Sequence, residues 1–219
     1  MNYTETRIIQ LLIDASGSME NIQEDVIDAG NAHILAAREA SLRSPETRYT
    51  LGVSLIGNGL RRVYAGLPPA EAELLKASDL RPDGNTALFD AMDAVLNELE
   101  GEWSRCRSNG STMVEVYIIT DGQDSASRYA RIADLRHRIE MLTATGEWTF
   151  HFDGADLDTI ELSALLAFRR EISLPAHDRQ LRSALIDFLT PFVTPEKLSR
   201  VEKGLPHEES KGKNDPDDH

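Results

Sequence analysis

One cysteine, Cys106, in 219 residues rules out an intramolecular disulfide and any zinc site built on several thiolates. A reduced compartment is expected. Long apolar runs are missing too: none approaches the ~18 residues that cross a bilayer. The N-terminus shows no basic segment leading into an apolar core and a small-residue cleavage site, so the expected location is the cytoplasm, with no membrane contact. Positive charge is scarce, with 23 Lys and Arg against 37 Asp and Glu and a formal charge of −14. Nucleic-acid phosphates demand a positive surface, so nucleic acid is excluded as a partner. Metal ions and basic or mixed-charge proteins stay open. No internal repeat is present.

What is present, 41% hydrophobic and 27% charged residues, suits one well-cored domain with a tail. Residues 7 to 13, "RIIQLLI", are apolar enough for a strand buried on both faces. Residues 20 to 43 have a helical period, with Ile22, Val26, Ile27, Ile34 and Leu35 near one stripe. "YTLGVSLIGNGLRRVYAG" is two extended runs around Asn58-Gly59, a hairpin that adds an antiparallel edge. "PPAEAELLKASDL" predicts a short helix opening on Pro, and "DGNTALFDAMDAVLNELEGEW" a long one starting near Thr86. "STMVEVYIITDG" is a strand stopped by Asp121-Gly122. Helical period follows over 126 to 144, then the strand "EWTFHF", a helix over 156 to 168, the short strand "REISL" and a closing helix over 178 to 193. Alternating strands and helices predict an α/β, doubly wound, mostly parallel sheet with helices on both faces. Residues 1 to 202 form the predicted domain. Residues 203 to 219 are charged and have almost nothing to bury, which predicts a disordered tail.

"LLIDASGSMENI" puts an acid and two hydroxyls where the first strand ends. In a doubly wound sheet, loops leaving the C-terminal ends of the strands gather at one edge, and ligands bind where the strand order reverses. Asp14 leaves the first strand, Asp121 leaves the "VEVYIIT" strand, and Thr86 lies in a Gly-Asn loop that opens a helix. If the two strands are neighbours, Asp14, Ser16, Ser18, Thr86 and Asp121 face one cavity. Positions 14, 16 and 18 point one way, while Ala15 and Gly17 keep the turn narrow. An all-oxygen set without imidazole or thiolate suits a hard cation, Mg²⁺ or Mn²⁺, and not zinc. Taken singly, each motif reads equally well as structure: Asp14, Ser16 and Ser18 as a helix cap, Thr86 as another, Asp121-Gly122 as a turn. Taken together at one edge, they read as a site.

The assembled pattern resembles the metal-ion-dependent adhesion site of von Willebrand factor type A domains. That family's D-x-S-x-S appears as "DASGS", its loop threonine in "DGNTAL", and its T-D-G aspartate in "ITDGQD". "LLIDASGSM", "TALFDAM", "IITDGQDSAS" and "WTFHFDGADLD" are similar to segments of small stand-alone bacterial members. The resemblance covers roughly residues 5 to 192. It implies a six-stranded sheet and an intact site in which Mg²⁺ or Mn²⁺ bridges to an Asp or Glu of a partner protein. It also implies a place within a larger intracellular assembly, with an AAA+ ATPase or a kinase and phosphatase system as the family's usual company.

A binding module, not an enzyme, is therefore the expected function. The rival is a metal-dependent phosphohydrolase of the haloacid dehalogenase type, which also places an aspartate after the first strand. That chemistry needs a second acid two residues on as general acid/base, and Ser16 stands there. "DASGS" does not match the nucleophile elbow G-x-S-x-G either. A metal-free scaffold is the third reading, disfavoured because all five ligand positions are filled. Asp153, Asp156 and Asp158 read as a solvated acidic loop. His33, His137, His151 and His177 read as packing or surface residues, Cys106 as a loop cysteine without catalytic meaning, and Met19, Met92, Met113 and Met141 as core fillers.

Overall fold

The computed structural model describes residues 3–121 and 124–153. The predicted helices over 156 to 168 and 178 to 193, the strand "REISL", the tail, Asp156, Asp158 and His177 lie outside the described residues.

Among the described residues five strands form one mixed sheet in the order β3-β2-β1-β4-β5. They are β1 (Glu5–Asp14), β2 (Thr47–Ile56), β3 (Leu60–Leu67), β4 (Ser111–Ile119) and β5 (Trp148–Asp153). The first strand lies between β2 and β4, parallel to both, and β5 is parallel to β4. Only β3 runs antiparallel, at the edge beside β2, across a turn that holds Asn58-Gly59 as expected. Every residue of β1 from Ile8 to Asp14 is buried, which explains its nearly unbroken apolar run. By contrast β3 carries Arg61 and Arg62 exposed on the sheet edge, where charge discourages pairing with another chain.

Side chains of opposite parity along β1 enter different clusters, because successive residues of a strand point to opposite faces. Ile9, Leu11 and Ile13 pack with Val26, Ile34 and Ala37 of the helix α1 (Gln23–Arg43). Ile8 and Leu12 pack with Leu88, Met92 and Leu96 of α2 (Leu88–Arg107) and with Leu135 and Ile139 of α3 (Ile132–Ala144). At Gly30 of α1, an added Cβ would lie 3.0 Å from the side chains of Ile13 and Leu75. A side chain there would push α1 off the sheet. Arg138 of α3 fixes the pairing with α2 through Asp93 at 2.7 Å and Glu100 at 2.6 Å. Among the described residues, no helix is long and apolar enough to cross a membrane.

Five local expectations fail. "PPAEAELLKASDL" is not a helix beyond a single 3-10 turn, Pro69–Glu71. Side chains of α1 take up the backbone groups a helix would bond internally: Asn31 donates to Leu75 O at 3.1 Å and accepts from Leu75 N–H at 2.7 Å, and Arg38 donates to Pro69 O and Ala72 O. The segment thus stays extended while burying Ala72, Leu75 and Leu80. Residues 124 to 131 are irregular, and α3 starts only at Ile132, because they dock on α2 as described below. The stripe of α1 is narrower than its sequence suggests, with Ile22 and Leu35 exposed. Cys106 is not in a loop: α2 continues to Arg107, whose guanidinium stacks on Trp103 at 4.9 Å and pairs with Glu147 at 3.3 Å. Met19 and Met92 are core residues, whereas Met141 is exposed. His151 stacks on Tyr117 at 4.5 Å, and the His33 ring lies tilted against it at 4.3 Å.

Asn31→Ala leaves the half-buried backbone groups of Leu75 without their partners, and should cost about 1–3 kcal/mol. Urea unfolding is expected to show a lower midpoint at an unchanged slope.

Candidate metal centre

The strand order reverses between β1 and β4: from β1 the chain moves outward to β2 and β3, and from β4 it moves the other way to β5. Asp14 is the last residue of β1, and Thr120 and Asp121 follow directly on β4. Their adjacency is thus a result of parallel pairing at a switch point.

Asp14 is fully buried. Its Oδ1 accepts the Ser16 N–H at 2.8 Å and its Oδ2 accepts the Thr120 hydroxyl at 2.7 Å. Burial pushes its carboxyl above the ordinary range; the hydrogen bonds from Ser16 and Thr120 oppose this, and the charge of Asp121 adds to it. Among the described residues no Lys or Arg forms an ion pair with Asp14. Holding that buried carboxyl in its charged form calls for a counter-charge.

The hydroxyls of Ser16 and Ser18 lie 3.0 Å apart. Ser16 occupies the N-cap of the 3-10 turn Gly17–Ile22, yet its side chain makes no capping bond. The N-cap of α2 is Ala87, one residue after Thr86, and the first amides of that helix are taken by Asp124 and Ser127 rather than by Thr86. Capping therefore does not account for these hydroxyls.

Thr86 is brought to this edge by backbone. Gly17 N–H donates to Gly84 O and Asp83 N–H to Ala15 O, both at 3.1 Å, which stitches the D-x-S-x-S loop to the loop before α2. Gly84 has φ +70°, and a Cβ there would meet the Asn58 side chain at 2.5 Å; only glycine suits that position. Thr86 itself is buried. Its N–H donates to Ser125 Oγ at 3.0 Å, and its carbonyl accepts from the N–H groups of Ser125 at 2.9 Å and Ala126 at 3.0 Å. The loop after β4 therefore grips Thr86 from both sides.

Asp90 anchors the same loop farther along. Its carboxylate accepts the N–H groups of Arg128, Tyr129 and Ala130 at 2.8, 3.0 and 2.7 Å. Desolvation works against its charge, yet these amides, with Arg128's charge, hold its carboxyl below the usual range. Ser127 accepts from Asp90 N–H and donates to Asp124 Oδ1 at 2.6 Å, and Asp124 accepts from Phe89 N–H.

Asp14, Ser16 and Ser18 thus form one hydrogen-bonded set with Thr120. Asp121 stands near enough to act on Asp14 by charge, and Thr86 reaches the same edge through the stitched loops. Thr120, Asp90 and Ser125 are supports that sequence reasoning missed. The available signal was the density of short oxygen-bearing side chains in "TDGQDSAS" after a strand. Among the described residues no three His, Cys, Asp or Glu side chains gather as a metal-binding group, so any cation at this edge depends on hydroxyl oxygens. Two carboxylates with three hydroxyls fit a hard cation chemically.

No protein-family model and no curated protein matches the chain. Solved structures do. The vWF domain of the type V pili tip protein Mfa5 from Porphyromonas gingivalis superposes with a TM-score of 0.56 at 10% identity, covering 95% of this chain and 99% of that one. The pilus adhesin SpaC from Lactobacillus rhamnosus GG, in its open conformation, superposes with a TM-score of 0.54 at 14% identity over 94% of this chain. The chain spans 31% of the SpaC chain, and 39% of the ArnB paralog VWA2 from Sulfolobus acidocaldarius, matched at a TM-score of 0.43 and 17% identity. Identities this low speak to fold and not to activity. Five mixed strands with β1 at the switch point, together with the likeness to the Mfa5 domain, give the described residues a fold of the vWF-domain type.

Proposed function

We propose that this chain is a divalent-metal-dependent protein-binding module, holding Mg²⁺ or Mn²⁺ with Asp14, Ser16, Ser18, Thr86 and Asp121 and gripping an Asp or Glu of a partner through that ion. The observation that carries the reading is the buried Asp14 carboxylate, which has hydrogen-bond donors but, among the described residues, no ion pair with Lys or Arg, beside the hydroxyls of Ser16 and Ser18. A divalent ion would balance its charge, and the neutral hydroxyls would leave that ion able to accept an outside carboxylate. The chain's own residues supply placement. Thr120 and the Ser16 amide orient the Asp14 carboxylate, while Ser125 and Ala126 fix the backbone of Thr86. The two clusters that meet α1 on one side and α2 with α3 on the other support a doubly wound sheet with helices on both faces, and six strands are part of the same proposal. A phosphohydrolase reading finds no support, since Ser16 donates its amide to Asp14 where that chemistry requires a second acid.

Calorimetry with MgCl₂ or MnCl₂ tests the centre. A hundredfold excess of metal over its Kd should stabilise the fold by about 2.7 kcal/mol, and Asp14→Ala should abolish the response. Thr86→Ser should keep partner capture from a cell lysate in Mg²⁺, and Thr86→Val should lose it with little change in melting temperature. Val binding as well as wild type while Ser fails would make Thr86 a packing residue and sink the mechanism.

The raised Asp14 carboxyl sets a second test, in chelator. A group whose pKa is higher folded than unfolded contributes stability that is present below its unfolded value and lost as pH rises through its folded value. Metal-free protein should therefore lose stability as pH climbs from about 4, the ordinary Asp value, toward neutrality at this residue. Asp14→Asn, which stays neutral, should melt higher than wild type in chelator at pH 7 and gain nothing from Mg²⁺. A metal-free Asp14→Asn that melts lower at pH 7 would show that the Asp14 charge is already balanced within the chain.

A further inference from the structure

A groove of about 450 Å³ lies beside the loop that carries Asp14, lined by Ala15, Gly57, Gly59, Arg61, Arg81 and Asp83 among others. Ala15 stands between Asp14 and Ser16, so the groove and the candidate metal centre share a wall. The two arginines set its character. Both are exposed, and among the described residues neither is in an ion pair. Arg62, the next residue of β3, differs: it pairs with Glu98. Backbone carbonyls hold the other two at the rim, Asp79 O accepting from Arg61 and Ser78 O from Arg81 Nε at 3.1 Å. The Asp79 carboxylate is engaged by the Lys76 N–H at 2.8 Å. Asp83 supplies one negative charge against two positive ones. Each guanidinium carries five N–H donors, of which the carbonyls occupy few. In a chain of net charge −14, two guanidiniums outside any ion pair among the described residues, beside the metal centre, are a selective feature.

We infer that this groove takes an acidic segment of the partner protein that bears two carboxylates, one presented to the metal centre and the second held by Arg61 and Arg81. The inference rests on the metal-bridged reading above and narrows its partner. A guanidinium matches a carboxylate with two parallel hydrogen bonds, which adds direction as well as charge. An extended segment advances about 3.3 Å per residue, so acids a few positions apart can span the shared wall at Ala15.

Short Gly/Ser peptides carrying either a single Glu, or a pair of Glu spaced two, three or four positions apart, provide the probe, titrated by calorimetry in saturating Mg²⁺. The best paired peptide should bind wild type about tenfold more tightly than the single-Glu peptide, a gain appropriate to one partly exposed charge-assisted contact. The double variant Arg61→Ala/Arg81→Ala should lose that gain while keeping its melting temperature, its Mg²⁺ affinity and its single-Glu affinity. Arg61→Lys/Arg81→Lys should recover part of it. Equal binding of single and paired peptides, a pair advantage that survives the double Ala variant, or no binding of any paired peptide to Mg²⁺-loaded wild type overturns the inference and leaves Mg²⁺ binding itself standing. Failure of wild type to bind Mg²⁺, or peptide binding unchanged in chelator, overturns the metal-bridged reading, and this inference with it.

Discussion

A carboxylate with no exposure to water, at the end of the central strand, constrains everything around it. Burial disfavours the charge of Asp14 and the neighbouring Asp121 disfavours it further, so the surroundings must supply donors or a counter-ion. The Ser16 amide and the Thr120 hydroxyl answer part of that demand, and each comes from a different strand end. Placing both requires β1 and β4 to be parallel neighbours in register, which the pairing of Ile13 with Ile119 provides. The local electrostatics and the sheet topology are thus one constraint seen at two scales.

Around that carboxylate the chain uses irregular backbone fixed by side chains instead of regular elements. The loop before α2 is stitched to the D-x-S-x-S loop by two backbone bonds, and the loop after β4 is pinned to Thr86 by Ser125 and to α2 by Ser127, Asp124 and Asp90. Loops carry variable chemistry on a rigid scaffold at modest cost to the core. Here three of them are joined by hydrogen bonds, with Ser125 holding the backbone of Thr86 and Asp90 holding the residues just beyond.

Charge is distributed unevenly over this surface. The acidic excess of the whole chain limits its partners through the average field, while ion pairs such as those of Arg62 and Arg138 engage much of the basic complement. Arg61 and Arg81, like Arg38, are positioned by backbone carbonyls and not by carboxylates. These two line the groove beside Ala15, so their guanidiniums stand near a site whose own side chains are acidic, and an occupant must satisfy both.

The sequence by itself determined the strands, the hairpin at Asn58-Gly59 and the three motifs at strand and helix ends, because each rests on a local signal: apolar runs long enough to cross a sheet, a turn dipeptide, short oxygen-bearing side chains where an apolar run stops. It did not determine what "PPAEAELLKASDL" would be, since the local preference of that segment was overridden by Asn31 and Arg38, 44 and 31 residues away in the chain. Nor did it reveal the roles of Thr120 and Asp90, whose partners lie 106 and 38 to 40 residues distant. Exposure of Leu35 and Met141 was equally illegible, because helical period marks a stripe but not how far the sheet beneath it extends. Only the tertiary structure decided which hydroxyls were free of capping, that Asp14 forms no ion pair with Lys or Arg among the described residues, and that two arginines line a groove with Ala15. Those properties depend on distances between segments, and local pattern carries no information about distance.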